Sequence, residues 1–488
     1  MTGSRRNFLK ASSAAVAAWA VSKPVSAWAD APGPVEVWAT FRDRRHQKGA
    51  PLTWKPAGNL AAGAVAADAI VLNPAEARQE MLGFGAALTD ASCYVLSRLA
   101  AAEQQALLHE LFAPGEMALN VCRTCIGASD YSQTVYSFDD STEPDPELKK
   151  FSIDHDRAYI LPILSAARRV NPELFLFSSP WSPPGWMKSN GSMLGGAMRN
   201  HYFEPYAQYF LKFLAEYKAA GVEIDAVTVQ NEVDTDQDGR MPACLWGQEY
   251  EIEFVKSHLG PLFRKEGVDT KIWVLDHNYN LWGRAIDELS DAGLCEFVDG
   301  IAWHGYMGDA TAMTRVHDAF PQKNAYWTEG GPDINAPDYQ TDWTHWAQTF
   351  NGVANNWARS ITAWNIALDE QGKPNVGPFP CGGLVTIDNA TGGERTHRVT
   401  RSGQYWAFAH FSRHVQRGAR VIAANSAGDA AAKSTAGGVS AAAFRNPGGG
   451  MVAVLANRGP HKKIQLLLGA NALDVDLEAD SVQTLEWN

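Results

Sequence analysis

Cysteine is scarce: six in 488 residues are too few for a chain of this length to be held by a disulfide framework, and their even number pairs none of them. Basic charge is in deficit, with 42 Lys and Arg against 54 Asp and Glu for a net charge of −12, which argues against a surface that neutralises nucleic-acid phosphates. No stretch reaches the ~20 uninterrupted apolar residues of a bilayer-spanning helix, so no stable membrane anchor is expected. Low-complexity tracts and repeats of fixed period are also missing. With 45% hydrophobic and 20% charged residues, the chain has the composition of a folded protein, long enough for two or three domains or one large barrel with an appended module. Tryptophan is abundant, 17 residues, and flat indole faces suit stacking on the C–H faces of sugars.

The first 29 residues read as an address. Arg5 and Arg6 precede an apolar run from Ala11 to Val21, followed by the small-x-small pattern Ala27-Trp28-Ala29. This resembles a twin-arginine export signal and implies a periplasmic or secreted protein, exported folded, with thiols that stay unpaired.

Residues 30–80 are strand-like and broken by Gly and Pro, as in Val35–Phe41 and Ala69–Leu72. From 81 to 415, short apolar runs alternate with longer amphipathic segments. The runs are Leu82–Leu88, Leu119–Thr124, Leu174–Ser179, Ile224–Asn231, Lys271–Asp276, Phe297–His304, Asn324–Glu329 and Ser360–Asn365. Helical stretches are expected near 95–112, 155–169, 205–219, 248–265, 281–292, 310–319, 342–357 and 404–414. Eight alternations predict an α/β fold, a (β/α)8 TIM barrel, rather than a doubly wound sheet. Residues 416–488 return to short strands, and pairing them with 30–80 predicts a side β-sandwich module built from both chain ends.

In such a barrel the reactive groups stand where strands give way to the following loops. Those ends carry Arg123, Ser179-Pro180-Trp181, Asn231-Glu232, Asp276-His277, His304 with Tyr306, Glu329 and Trp364-Asn365. Glu232 and Glu329 each follow a strongly apolar strand, where an ionisable carboxyl must be partnered or functional. Acetal cleavage needs one carboxylic acid for the leaving oxygen and one carboxylate for the anomeric carbon. Asn231 suits a hydrogen bond to a sugar 2-OH, and Arg123, His304 and Tyr306 suit holding the second glutamate ionised and aimed.

Gly83–Asp90, Arg123 with Ser129–Ser132, Ser179–Lys188, Val229–Glu232, Ile301–Tyr306, Thr328-Glu329 and Trp364–Leu368 together resemble the ordered motifs of glycoside hydrolase family 30, the glucosylceramidase-like enzymes. The resemblance implies a retaining β-glycosidase with Glu232 as general acid/base and Glu329 as nucleophile. It also implies substrate binding by Asp130, Trp181 and Asn231, a polar shell of Arg123, His304 and Tyr306, and an aromatic wall at Trp364. It implies no cofactor and no metal, and a β-linked glycan or glycolipid as substrate. Glucosylceramidase or β-glucosidase activity is the leading expectation; β-1,6-glucanase, xylan-directed activity or a silent carbohydrate binder are the alternatives. Val233 departs from the family pattern where Pro is usual, as does Ala86 where a second Gly is common.

Other motifs read as bland. Asp234-x-Asp236-x-Asp238-Gly239 imitates a calcium loop, but Leu245 stands where a bidentate Glu is required, which leaves a solvated acidic loop. Cys122-x-x-Cys125 lacks a second ligand pair and reads as buried thiols. Gly83-x-Gly85 lacks the third glycine of a dinucleotide fingerprint and reads as a turn. Tyr131, Tyr136 and Phe138 fit either the cleft or their own loop's core. Asp276 and His277 fit substrate contact or a structural hydrogen bond beneath the site.

Overall fold

The computed structural model describes residues 32–57, 69–388, 397–426, 435–436 and 438–488. The segment 1–29, expected to direct export, lies outside them. Eight parallel strands close in chain order into a barrel: Gly83–Ala87, Val121–Cys125, Phe175–Ser179, Ala226–Thr228, Lys271–Asn278, Val298–His304, Asn324–Glu329 and Ala358–Asn365. They are buried over nearly their whole length, as parallel strands covered by helices must be. The helices present one apolar face inward; Ile160–Val170 buries Ile160, Leu161, Ile163, Leu164 and Ala167 while Arg168 and Arg169 stay outside the core.

The segment expected as one helix near 95–112 is two, Asp90–Ser97 and Ala101–Phe112. The first begins earlier because Thr89 caps it, its Oγ1 accepting the Ser92 N–H at 3.1 Å. The turn expected at Gly83-x-Gly85 is part of the first barrel strand. A Cβ on Gly85 would come within 1.7 Å of the Val121 carbonyl oxygen, so glycine is there for close approach of neighbouring strands. After the eighth strand, a three-stranded sheet of Ala367–Asp369, Val385–Ile387 and Val399–Arg401 precedes the last barrel helix, Gly403–Ser412. Strands of three residues carry too little alternation to be read from sequence.

The side module is an eleven-stranded sheet that interleaves both chain ends. Glu36–Phe41 pairs with Ser481–Trp487, and Ala69–Glu80 lies between Arg420–Ser426 and Lys462–Leu468. Val35, Ile70, Leu455, Leu466 and Trp487 share its core. It docks on the barrel helices Trp343–Asn355 and Gly403–Ser412: Asn351 donates to Ser440 Oγ at 3.0 Å, Asn355 to the Ala441 carbonyl at 2.8 Å, and Thr484 to the His410 carbonyl at 2.9 Å. All six cysteines are free, and burial pushes the Cys122 thiol up to about 12, as inert thiols require. Tyr136 and Phe138 pack into the main core of the barrel rather than lining the cleft or forming a separate core of their loop, with Phe138 stacked on Phe213 of the helix Phe203–Ala219 at a ring-centroid distance of 5.8 Å.

Two glycines make opposite predictions. Gly85→Ala should lower unfolding stability by about 3 kcal/mol or more, since backbone must move to admit the methyl group. Gly352, inside the helix Trp343–Asn355 with nothing near its missing Cβ, should stabilise by roughly 0.5–1 kcal/mol when replaced by Ala. Denaturant melts of the two variants check both signs.

Candidate active site

Arg123, at the centre of the second strand, is fully buried and gathers the strand ends around itself. Its guanidinium donates to Glu329 Oε2 at 2.5 Å, Asp276 Oδ2 at 2.5 Å, Asn231 Oδ1 at 2.9 Å and Ser179 Oγ at 3.2 Å. A planar fork is needed to meet two carboxylates at once, which a lysine cannot do. Trp181 and Trp364, stacked on each other at 5.0 Å, cover the cation with ring centroids 4.7 and 5.6 Å from its central carbon.

Asp276 also accepts from Thr228 Oγ1 at 2.7 Å and Thr328 Oγ1 at 2.8 Å, and lies 3.0 Å from His304 Nε2. Burial opposes its charge, but Arg123, His304 and Thr228 hold the carboxyl well below the usual carboxylate range. Of its two sequence readings, the structure shows the hydrogen bond beneath the site. His304 stands between the two glutamates, with Nδ1 3.4 Å from Glu232 Oε1 and Nε2 3.8 Å from Glu329 Oε2. Burial works against its imidazolium, yet Glu329, Asp276 and Glu232 outweigh it and push the ring up to about 9. His304 opposes the rise of Glu329, as expected of a residue that holds it ionised, and it faces Glu232 as well. Its Nε2 is committed to Asp276, which turns Nδ1 toward Glu232.

Tyr306 donates its hydroxyl to Glu329 Oε1 at 2.9 Å, and Gln237 donates its amide to Glu232 Oε2 at 2.8 Å. Burial raises Glu329, with His304 and Arg123 opposing and Glu232 adding to the rise. For Glu232, burial is overcome by His304, His277 and Gln237, which draw it below its ordinary value. Asp130 is raised well above the carboxylate range by burial, then by Glu329 and Glu232, and its Oδ1 has no partner within the protein. Shifted toward its protonated form, the carboxyl can offer a donor as well as an acceptor.

A cavity of about 380 Å³ opens above these groups. Asp130, Trp181, Asn231, Glu232, Tyr306, Glu329 and Trp364 line it, seven of the nine residues expected from the sequence. Arg123 and His304, expected among the substrate-binding residues, are fully buried beneath it and act on the carboxylates instead. The far wall brings in Met307, Phe379 and Pro380 from loops with no signature in the sequence. Gln237 was hidden in the acidic loop, whose Asp234 and Asp238 are exposed; its offset of five residues from Glu232 was the available signal. Tyr131 supports the wall, edge-on to Trp364 and donating to the Phe379 carbonyl at 2.8 Å. Among the described residues, one group has cation-holding geometry: Glu232, His277 and His304, with one donor atom each within 4.8 Å of one another.

A closed eight-stranded barrel whose carboxyl ends present two carboxylates, a guanidinium and tryptophan walls to one cavity is an enzyme that cleaves glycosides. Residues 81–415 match the model of the glycosyl hydrolase family 30 TIM-barrel domain and residues 418–485 that of the family's beta sandwich domain. The chain belongs to glycosyl hydrolase family 30, a family of retaining β-glycosidases. It is 35% identical over 362 residues to an endo-1,6-beta-D-glucanase of Neurospora crassa, covering 72% of this chain and 73% of that one. With the lysosomal acid glucosylceramidase of Mus musculus it shares 27% identity over 411 residues, 80% of this chain and 77% of that one. The solved structure of an endo-beta1,6-glucanase superposes with a TM-score of 0.81 at 29% identity, covering 93% of this chain and all of that one.

His304 gives the site a signature in stability. With its pKa near 9, above the ordinary 6.5, its protonated form stabilises the fold fully below about pH 6.5, and that contribution is lost as pH rises through about 9. The thermal midpoint of the parent should therefore fall more steeply than that of His304→Gln across this window. Parallel curves would mean that the ring is not held protonated by its three carboxylate neighbours.

Proposed function

We propose that this protein hydrolyses internal bonds of β-1,6-linked glucan, with Glu329 as nucleophile and Glu232 as general acid/base. The observation that carries the roles is the difference between the two carboxyls. Glu329 has both oxygens fixed by direct donors, Arg123 and Tyr306, as an aimed nucleophile needs; Glu232 has one oxygen fixed, by Gln237, and turns the other toward His304, which leaves it freer to exchange a proton. In the first step Glu329 attacks the anomeric carbon as the bond to the leaving oxygen breaks and Glu232 delivers its proton. In the second, Glu232 takes a proton from water, which attacks the same carbon and releases Glu329. His304, lying between the two carboxyls, and Arg123, bonded to Glu329, together offset the charge of the pair, so that one carboxyl can ionise while the other takes up a proton.

Asn231 has its oxygen engaged by Arg123, which leaves its amide donors for a hydroxyl next to the anomeric carbon. Trp181 and Trp364 supply apolar faces for the sugar ring, and Asp130 suits a distal hydroxyl. The glucan reading is supported by the relatives named as endo-1,6-beta-glucanases. A glucosyl lipid is the second reading. It is favoured by Met307, 59% exposed, and Phe379, 40% exposed, beside the cavity, and by the glucosylceramidase relative. We also propose that residues 1–29 direct export, supported by Arg5-Arg6 ahead of the apolar run.

Incubation with linear β-1,6-glucan should release a ladder of short oligosaccharides whose new reducing ends are initially β. Faster turnover of glucosylceramide would favour the second reading instead. Glu329→Gln should lose at least ~10³-fold in kcat on every substrate, whereas Glu232→Gln should keep substantial turnover of aryl glucosides whose leaving groups need no proton. Parent rates in both variants would refute the assigned roles.

A further inference from the structure

A second charged cluster lies outside the barrel, behind the fifth strand. Glu251, on the helix Gln248–Phe254, and Glu288, on the helix Trp282–Ser290, are both fully buried, and Arg284 bridges them. Its Nη2 donates to Glu251 Oε2 at 2.6 Å and its Nε to Glu288 Oε1 at 2.6 Å. Two carboxyl groups removed from water beside a largely buried guanidinium are costly relative to an apolar packing of the same volume, so their presence calls for a role.

The remaining oxygen of Glu251 has an unusual partner. Glu251 Oε1 accepts the backbone N–H of Leu275 at 3.1 Å. Leu275 and Asp276 both lie in the left-handed region, with φ of 71° and 43°, a strained conformation for residues other than glycine. They form a bulge in the fifth strand: Ile301 pairs with Val274 but Trp303 with His277, so one extra residue is accommodated on the fifth strand. The bulge turns the Leu275 N–H out of the ladder, and Glu251 is the group that satisfies it.

The bulge also aims the site. Asp276, its second residue, sends its carboxylate to Arg123 and His304 and its carbonyl to the Glu232 N–H at 2.9 Å. Arg284 reaches the neighbouring connection too: Nη1 donates to the Trp246 carbonyl at 2.9 Å, and the Trp246 N–H donates to the carbonyl of Val233, which follows Glu232, at 2.9 Å. Both backbone segments that carry the acid network are thus tied to one buried cation.

We propose that Glu251, clamped by Arg284, is a positioning residue for hydrolysis: it holds the Leu275–Asp276 bulge and so keeps Asp276 against Arg123 and His304. This rests on the assignment of Glu232 and Glu329 as the reacting pair. Glu251 touches no substrate, so its effect must travel through Asp276. Losing the alignment misplaces the acid/base group without removing it, a fault of the kind that costs up to about 100-fold in rate. It also withdraws the Asp276 charge that raises His304, so the ring should give up its proton at lower pH.

In Glu251→Gln one amide group must face either Leu275 N–H or Arg284 as donor to donor. The full-length variant is assayed on whichever of β-1,6-glucan, glucosylceramide or an aryl β-glucoside the parent cleaves best. Rates are expressed per site labelled by a mechanism-based glucosyl inhibitor, so misfolded protein is not counted. The expected result is kcat lowered ~10- to ~100-fold with KM within about twofold, and a basic limb of the kcat profile displaced about one pH unit downward. Arg284→Lys, which keeps the charge but not the fork, should show the same displacement to a smaller extent and serves if Glu251→Gln does not fold. Parent kcat per labelled site with an unmoved basic limb, in either variant, overturns the proposal. That result leaves the roles of Glu232 and Glu329 untouched, because their own substitutions test those separately.

Discussion

One fully buried guanidinium, shared between Asp276 and Glu329, is the constraint from which the rest of this site follows. A buried arginine is tolerable only with its charge answered and its donors used, and Arg123 meets that demand with residues from four different strand ends. The same bonds that neutralise the cation fix the separation of the strands at the reactive face. Asp276 is held by two threonines and a histidine as well, so the anion beneath the site is constrained from every side. The tryptophans that cover Arg123 also wall the cavity, so what excludes water from the ion pairs is what a sugar ring meets.

Charge at this site is arranged in layers. Arg123 and His304 lie beneath, Glu232 and Glu329 above them, and Asp130 and Asn231 line the cavity beside the glutamates. The arrangement needs a rigid frame, and part of it comes from the side module. The helix Trp343–Asn355, which follows the strand carrying Glu329, bonds to the module through Asn351 and Asn355. Behind the fifth strand the Glu251–Arg284–Glu288 cluster bonds to the segments around Asp276 and Glu232.

The barrel was legible because each of its strands is a short apolar run and each polar strand end stands out against it. The module was legible because both chain ends alternate in the same way. Glu232 and Glu329 could be found by that contrast alone. The motifs around Trp181, Asn231 and Trp364 then supplied the resemblance. What stayed hidden depends on backbone direction rather than residue type. Asp276 could not be placed, because the bulge that aims it follows from φ values that no periodicity reveals. Gln237 and Phe379 sit in loops whose paths are set by tertiary contacts, and the glycines at 83 and 85 signalled close packing through the same residue type that signals a turn.

The central claim is that Glu329, fixed by Arg123 and Tyr306, is the atom-bearing partner of the anomeric carbon. Trapping the protein with a fluorinated glucosyl inhibitor, digesting it and mapping the modified peptide by mass spectrometry tests that claim most directly. The account predicts a single glucosyl ester on Glu329, formed in the parent and absent from Glu329→Gln. A glucosyl group found on Glu232 or Asp130 instead, or binding of the inhibitor without any covalent adduct, would contradict it.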